Sequence, residues 1–254
     1  MLSSKLVRHA PAPLLAAVLT ACAPAAVKDI AANKTAYLAE NFSPQQVPPD
    51  ISKQLAAGGP VTLGFQSMTI KIGAVFEDNS KKETPTLLAT LKNVGNGVVQ
   101  EMLEYSNNDI PYGIEYSLSY MALLPLKSQR VFYNRQTANF AIEAKHLNQV
   151  AKDAVKPREE TDYVFDWASG TSPQLMNFSN IRLVCRSGKF YPAATLHSKL
   201  AGNAIDFNCT RHVNGVVRAR QKFAVLERYG LALKLEFKSS TITETYRIGD
   251  VEIL

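Results

Sequence analysis

The sequence predicts a mainly β protein, a curved antiparallel sheet in the form of a half-barrel or sandwich, with α+β character at its N-terminus from a few short helices. Three observations carry this prediction. Alternating apolar and polar residues recur from Val61 to the C-terminus. Gly95-Asn96-Gly97 and Asn214-Gly215 are tight-turn signals between β-prone runs. Helical spacing is confined to short stretches.

Residues 22–60 read as a tether with helical pieces. Val27, Ile30, Lys34, Tyr37, Leu38 and Phe42 have near-helical spacing, and Pro44 closes that stretch. Pro48-Pro49-Asp50 starts a second helix through Leu55, with Gly58-Gly59 as its stop. Such helices either space a body from its attachment or pack on the edge of the domain.

Residues 61–254 read as one antiparallel β domain. Val61, Leu63 and Phe65 alternate, then Met68, Ile70 and Ile72. Thr86–Val94 and Val98–Tyr105 flank the Gly-Asn-Gly turn. Tyr112, Ile114, Tyr116, Leu118 and Tyr120 share one strand face, opposite Gly113, Glu115, Ser117 and Ser119. Arg130–Lys145 reads as a long strand bulged near Asn139, and His146–Val155 as a helix ending before Pro157. Shorter strands follow at Tyr163–Phe165, Ile181–Cys185 and Ala204–Thr210. Asn214-Gly215 joins the last of these to Val217–Leu226. Leu231, Leu233, Leu235 and Phe237 share a face opposite Lys234 and Glu236, and Ile242–Ile248 and Val251–Ile253 close the chain. Two halves, 61–156 and 157–254, echo each other in Tyr112-Gly113 and Tyr229-Gly230, each before an alternating strand.

Chemical motifs are sparse. No nucleophile elbow, zinc-protease helix or calcium loop occurs, so no metal or cofactor is expected. Ser198, His212 and Asp206 are the residues a hydrolytic triad would need, without spacing to support it. Glu159-Glu160 and the pair Asp162 and Asp166 have no assignable partner. Two features remain as binding candidates. The stripe Tyr112, Tyr116 and Tyr120 reads either as core or as the wall of an apolar cavity with hydroxyls toward its mouth. Arg218, Arg220 and Lys222 alternate on one strand face, either as a solvated edge or as a contact for phosphate-bearing groups.

The address is more legible. Lys5 and Arg8 precede the run Leu14–Leu19, which is too short to cross a bilayer, and small residues follow. Leu19-Thr20-Ala21-Cys22 resembles the lipobox of bacterial lipoprotein precursors. The resemblance implies that residues 1–21 are a signal peptide, that Cys22 is diacylglycerated, and that its new amino terminus takes a further acyl chain such as palmitate. Ala23, rather than an aspartate, implies sorting to the outer membrane, facing the periplasm. Ala21-Cys22-Ala23 and Ala23-Pro24-Ala25 also fit ordinary signal cleavage, which would release a soluble product.

The chain has three cysteines. Lipid on Cys22 leaves Cys185 and Cys209 as a pair, and a disulfide between them suits an oxidising compartment. It would close a loop of roughly 25 residues, contributing about 3 kcal/mol. The formal net charge of +6 falls by the two cations Lys5 and Arg8 on cleavage. That mild excess suits anionic head groups or a plain solvated surface, and the address argues against nucleic acid. Tyr229–Phe237 and Tyr246–Val251 are similar in style to the curved sheets of the Lol lipoprotein carriers. The expected function is therefore a non-enzymatic envelope lipoprotein, held in its membrane by lipid, that binds an apolar or amphiphilic ligand or another envelope protein. A pocketless assembly factor of a surface or secretion complex, and an envelope glycan or lipid hydrolase, are the alternatives.

Overall fold

A computed structural model describes residues 25–57 and 59–254. The lipobox and Cys22 lie outside the described residues. The strands are β1 (Ser67–Asp78), β2 (Lys82–Glu83), β3 (Thr86–Asn93), β4 (Val98–Asn107), β5 (Ile110–Tyr120), β6 (Leu124–Phe132), β7 (Ile142–Gln149), β8 (Asp162–Thr171), β9 (Ser179–Pro192), β10 (Asn203–Val213), β11 (Val216–Leu226), β12 (Leu231–Ser239) and β13 (Ile242–Ile253). From β3 onward each strand pairs with the next, and β1 pairs with β13 from Met68 opposite Ile253 to Asp78 opposite Ile242. The sheet thus closes into a barrel of twelve antiparallel strands, with β2 a short extra pair beside β1. Closure leaves the long strands without a free edge.

The barrel is unevenly stitched. β6 and β7 pair only at Lys127–Glu143 and Ser128–Ile142. β12 and β13 pair only from Glu236–Thr245 to Lys238–Thr243. Below that point β12 leaves β13, and the Ala232 N–H donates instead to the Met121 carbonyl of the β5–β6 turn, at 2.9 Å. Two short seams therefore join a sheet of β13, β1 and β3–β6 to a sheet of β7–β12.

Register decides which side chains face inward. One inward layer runs through Ile70, Ala89, Leu103, Glu115 and Arg130 on β1, β3, β4, β5 and β6. On the other side Leu147, Tyr163, Phe165, Trp167, Leu183, Phe207 and Phe223 fill the interior, with Tyr163 stacked on Phe207 at 4.8 Å. The outward face of β1 and β3 bears Thr69, Lys71, Thr90 and Lys92. That polar face, which also carries the exposed Leu88, is unlike the continuous apolar band of a lipid-spanning barrel.

Three helices pack on this wall: α1 (Val27–Ala32), α2 (Lys34–Asn41) and α3 (Pro49–Ala56). Ile30, Leu38 and Phe42 cover Ile114, Tyr116 and Val131 on the outer face of β5 and β6. The Gln100 amide donates to the carbonyls of Leu38 and Phe42 at the C-terminal end of α2. Ile51 and Leu55 of α3 join a core with Tyr120, Leu124 and Leu147, and Lys152 donates to the carbonyls of Gln54 and Ala57 at the C-terminus of α3.

The barrel has two unlike ends. One, called the rim here, carries the turns at 79–85, 108–109, 133–141, 172–178, 214–215 and 240–241. The other is closed by residues 61–65, α3 and the 150–156 connection. There the Gly64 N–H donates to the Tyr229 carbonyl at 3.1 Å, and Val155 and Leu63 press on Gly230 so closely that a Cβ would meet them at 2.9 and 3.0 Å.

Several expectations are corrected. The long strand Arg130–Lys145 is divided by the 133–141 connection, and the helix expected over His146–Val155 is the end of β7 followed by a short 3-10 turn, Lys152–Val155. Register slips around Lys145 and Asn148 break the alternation of β7. Ala144, Leu147, Ala151 and Ala154 then fall at helix-like intervals. The final two strand segments are one bulged strand, β13.

Candidate functional site

The strands around the β12–β13 seam enclose a cavity of about 120 Å³. Ile70, Ile72, Leu87, Ala89, Leu91, Leu103, Leu233 and Ile248 form its apolar wall, and Glu101, Glu115, Arg130 and Lys234 bring charge to it. A second space of about 370 Å³ lies at the rim, bordered by Phe76, Tyr105, Tyr112, Arg130, Phe132 and Glu244. Tyr105 and Arg130 line both spaces, so they stand where the inner cavity meets the mouth.

The charged groups are organised. Arg130 donates twice to Glu115 Oε2, at 2.8 and 2.6 Å, and the Tyr105 hydroxyl donates to the same oxygen at 3.0 Å. The Arg130 guanidinium lies over the Tyr105 ring at 5.2 Å. Glu101 accepts from the Ser117 hydroxyl at 3.1 Å. Lys234 lies over the Tyr246 ring at 5.9 Å and makes no ion pair among the described residues. Burial, reinforced by the Glu115 charge, raises the Glu101 pKa. Burial also acts upward on Glu115, but Arg130 and then Lys234 outweigh it and hold that carboxyl below its ordinary value. Burial and the nearby carboxylates push the Tyr105 and Tyr246 hydroxyls upward.

Lys234 stands next to a bulge. β11 and β12 slip register between Lys222 and Phe223, with Leu235 as the extra residue. Leu233 and Lys234 precede the bulge and pair in ordinary register with Ala224 and Phe223, and both border the cavity, Lys234 with its side chain exposed.

The tyrosine stripe is divided rather than shared. A register slip between Tyr105 and Ser106 makes Tyr112 the odd residue of β5, and its ring turns to Tyr105 at the mouth, 5.9 Å between centroids. Tyr116 and Tyr120 are fully buried outside the inner cavity. Tyr116 sits under α2 against Phe42 and Tyr37, at 5.6 and 5.1 Å. The expectation of three tyrosines along one cavity wall is corrected to Tyr112 alone at the mouth.

Arg218, Arg220 and Lys222 do share the outward face of β11. Arg218 and Arg220 are exposed, and Lys222 is paired with Asp206 at 2.7 Å. Asp206 also accepts from the Tyr191 hydroxyl at 2.8 Å. His212 lies opposite Arg182 toward the rim, while Ser198 lies in the turn at the far end, so Ser198, His212 and Asp206 do not meet. Asp162 pairs with Arg186, and Asp166 accepts from Asn148. Among the described residues no group of three or more His, Cys, Asp or Glu is placed to hold a metal ion.

Cys185 of β9 and Cys209 of β10 stand opposite each other, face the interior and form a disulfide. No family model matches the sequence, and no curated protein matches it. A crystal structure of an outer membrane lipoprotein-sorting protein domain from Vibrio parahaemolyticus superposes on 80% of this chain and 90% of its own, at 8% identity and a TM-score of 0.42. That likeness is too remote to bear on the function of this chain.

Proposed function

We propose that this chain is an exported lipoprotein, anchored through Cys22 in the bacterial envelope, whose barrel binds an amphiphilic ligand. The carrying observation is the apolar cavity that joins a charged tier at Tyr105 and Arg130 below the mouth. An acyl or other apolar segment suits the wall of Ile70, Leu87, Leu103 and Ile248, where each methylene removed from water contributes about 0.8 kcal/mol. Lys234, without an ion-pair partner among the described residues, and the two-sided Arg130 suit an anionic head. The signal-like N-terminus supports export, and the Cys185–Cys209 disulfide is consistent with an oxidising compartment. Binding rather than catalysis is the reading, because Glu115 is committed to Arg130 and Tyr105, and the hydroxyl beside Glu101 is that of the buried Ser117, with no histidine lining the cavity among the described residues.

Native mass spectrometry of the chain extracted from its membrane in mild detergent tests this reading. The expected result is a co-purifying amphiphile, lost when Ala89→Trp fills the cavity and weakened by Lys234→Ala. Absence of any adduct, together with no uptake of a fluorescent fatty acid by the folded protein, overturns it in favour of a pocketless assembly factor.

A further inference from the structure

The exposed large apolar residues are concentrated at one end of the barrel. In the rim sector spanned by β6 to β11 they are Phe140, Ile142, Leu175, Met176, Val216 and Val217, with Leu175 86% and Met176 69% exposed. They sit on three neighbouring connections that are tied together. Ser172 N–H donates to the Ala141 carbonyl at 2.8 Å, and Asn180 and Asn214 exchange two hydrogen bonds of 2.8 Å. The sector is thus a braced platform of apolar tips.

Charge and chain path point the same way. Arg135, Arg182, Arg218 and Arg220 are exposed around these tips, while Glu143, the acidic residue among them, is neutralised by Lys127 and Lys145. The acidic residues of the rim, Glu77, Asp78, Glu83, Asp109 and Glu244, lie in the other sector, around β13 and β1 to β5. The described chain also begins here. Ala138 N–H donates to the Ala25 carbonyl and Val27 N–H to the Gln136 carbonyl, both at 3.0 Å, which pins residues 25–27 to the 133–141 connection.

We infer that this sector of the rim docks on an anionic lipid bilayer, so that the barrel stands with its rim toward the membrane and the acidic sector that carries the mouth lies beside the docked one. Apolar tips enter the interface, and the surrounding arginines meet lipid phosphates. Cys22 lies three residues before Ala25, so a lipid on Cys22, which is the proposed lipidation, would have a chain reach of about 10 Å from this sector.

The test uses the full chain isolated from membranes and reconstituted in phosphatidylethanolamine–phosphatidylglycerol vesicles. An environment-sensitive fluorophore is attached at Met176→Cys, at Val217→Cys or, at the closed end, at Ser198→Cys. The expected result is a blue shift of emission at 176 and 217 relative to the same protein in detergent-free buffer with soluble lipid head groups, and none at 198. Equal emission at all three sites overturns the inference. Intact mass reads the lipid on Cys22 separately. Lipid present with water-like tips rejects the docking alone, and lipid absent with shifted tips supports the docking while rejecting the anchor.

Discussion

Glu101 and Glu115 face one cavity from neighbouring strands and are pushed in opposite directions. Burial, then the Glu115 charge, raises the Glu101 pKa above the ordinary 4.5. A carboxyl whose folded value is raised stabilises the fold only below its unfolded value, and that contribution is lost as pH rises through the folded value. Glu101 therefore opposes folding when ionised, and Glu101→Gln is expected to raise the thermal midpoint at neutral pH. The gain should vanish toward pH 4.5, as followed by circular dichroism. Glu115 has the opposite sign. Arg130 and Lys234 overcome burial and depress its folded value, so its contribution is complete above the ordinary value and is lost as pH falls through the depressed one. Arg130→Met removes the partner and leaves Glu115 facing an apolar wall. The expected loss is about 2 kcal/mol in urea unfolding, below the buried-pair range because Arg130 is half-exposed. Glu115→Gln in the same background should restore most of it.

At the scale of the element, the disulfide ties β9 to β10 across a sequence separation of 24 residues. Replacing both Cys185 and Cys209 with Ala is expected to lower unfolding free energy by about 3 kcal/mol under non-reducing conditions. The wild type in reductant should lose a similar amount. The β10–β11 hairpin was readable because its turn has one chemical solution. Asn214 and Gly215 have φ of 50° and 80°, left-handed values that favour Asn-Gly in two-residue hairpins. The β5–β6 turn was not readable. Met121 and Ala122 adopt φ of 56° and 55° without a glycine or asparagine. Tertiary contacts hold them there: the Met121 N–H donates to the Gly97 carbonyl at 2.8 Å and its carbonyl accepts from Ala232. Such positions cost on the order of 1–3 kcal/mol each. Ala122→Gly is accordingly expected to be neutral or stabilising despite the entropy that glycine adds to the unfolded chain.

For the whole molecule, the two short seams matter more than the closure itself. β6–β7 pairs at two positions and β12–β13 at three, whereas β9–β10 pairs along nearly its full length. Amide exchange is expected to be fastest at Ser128, Glu143, Thr243 and Thr245 and slowest at Cys185, Phe207 and Cys209, since local opening follows the density of paired backbone. Uniform protection around the barrel would contradict a structure built from two sheets. Under the proposed binding role, opening at the β12–β13 seam beside Lys234 would be the route for a ligand larger than about 120 Å³ that leaves the aromatic core under β7–β11 intact.

Periodicity by itself determined the β class, most strand positions, the Gly-Asn-Gly and Asn-Gly hairpins and the short N-terminal helices, because alternation and turn chemistry are local. Cysteine counting pointed to Cys185 and Cys209, since an even pair has few alternatives. The lipid on Cys22 remains a proposal drawn from the sequence, outside the described residues. Only the tertiary structure decided closure of the sheet, the bulges that disguised β7 as a helix and set Tyr112 at the mouth, and the meeting of Glu101, Glu115, Arg130 and Lys234. Those four residues come from four different strands, 133 positions apart at the extremes. A one-residue slip in register reverses the face of every residue beyond it, and nothing local in a sequence marks which strand will slip. The cavity is set by where β12 leaves β13, a choice made by long-range pairing alone.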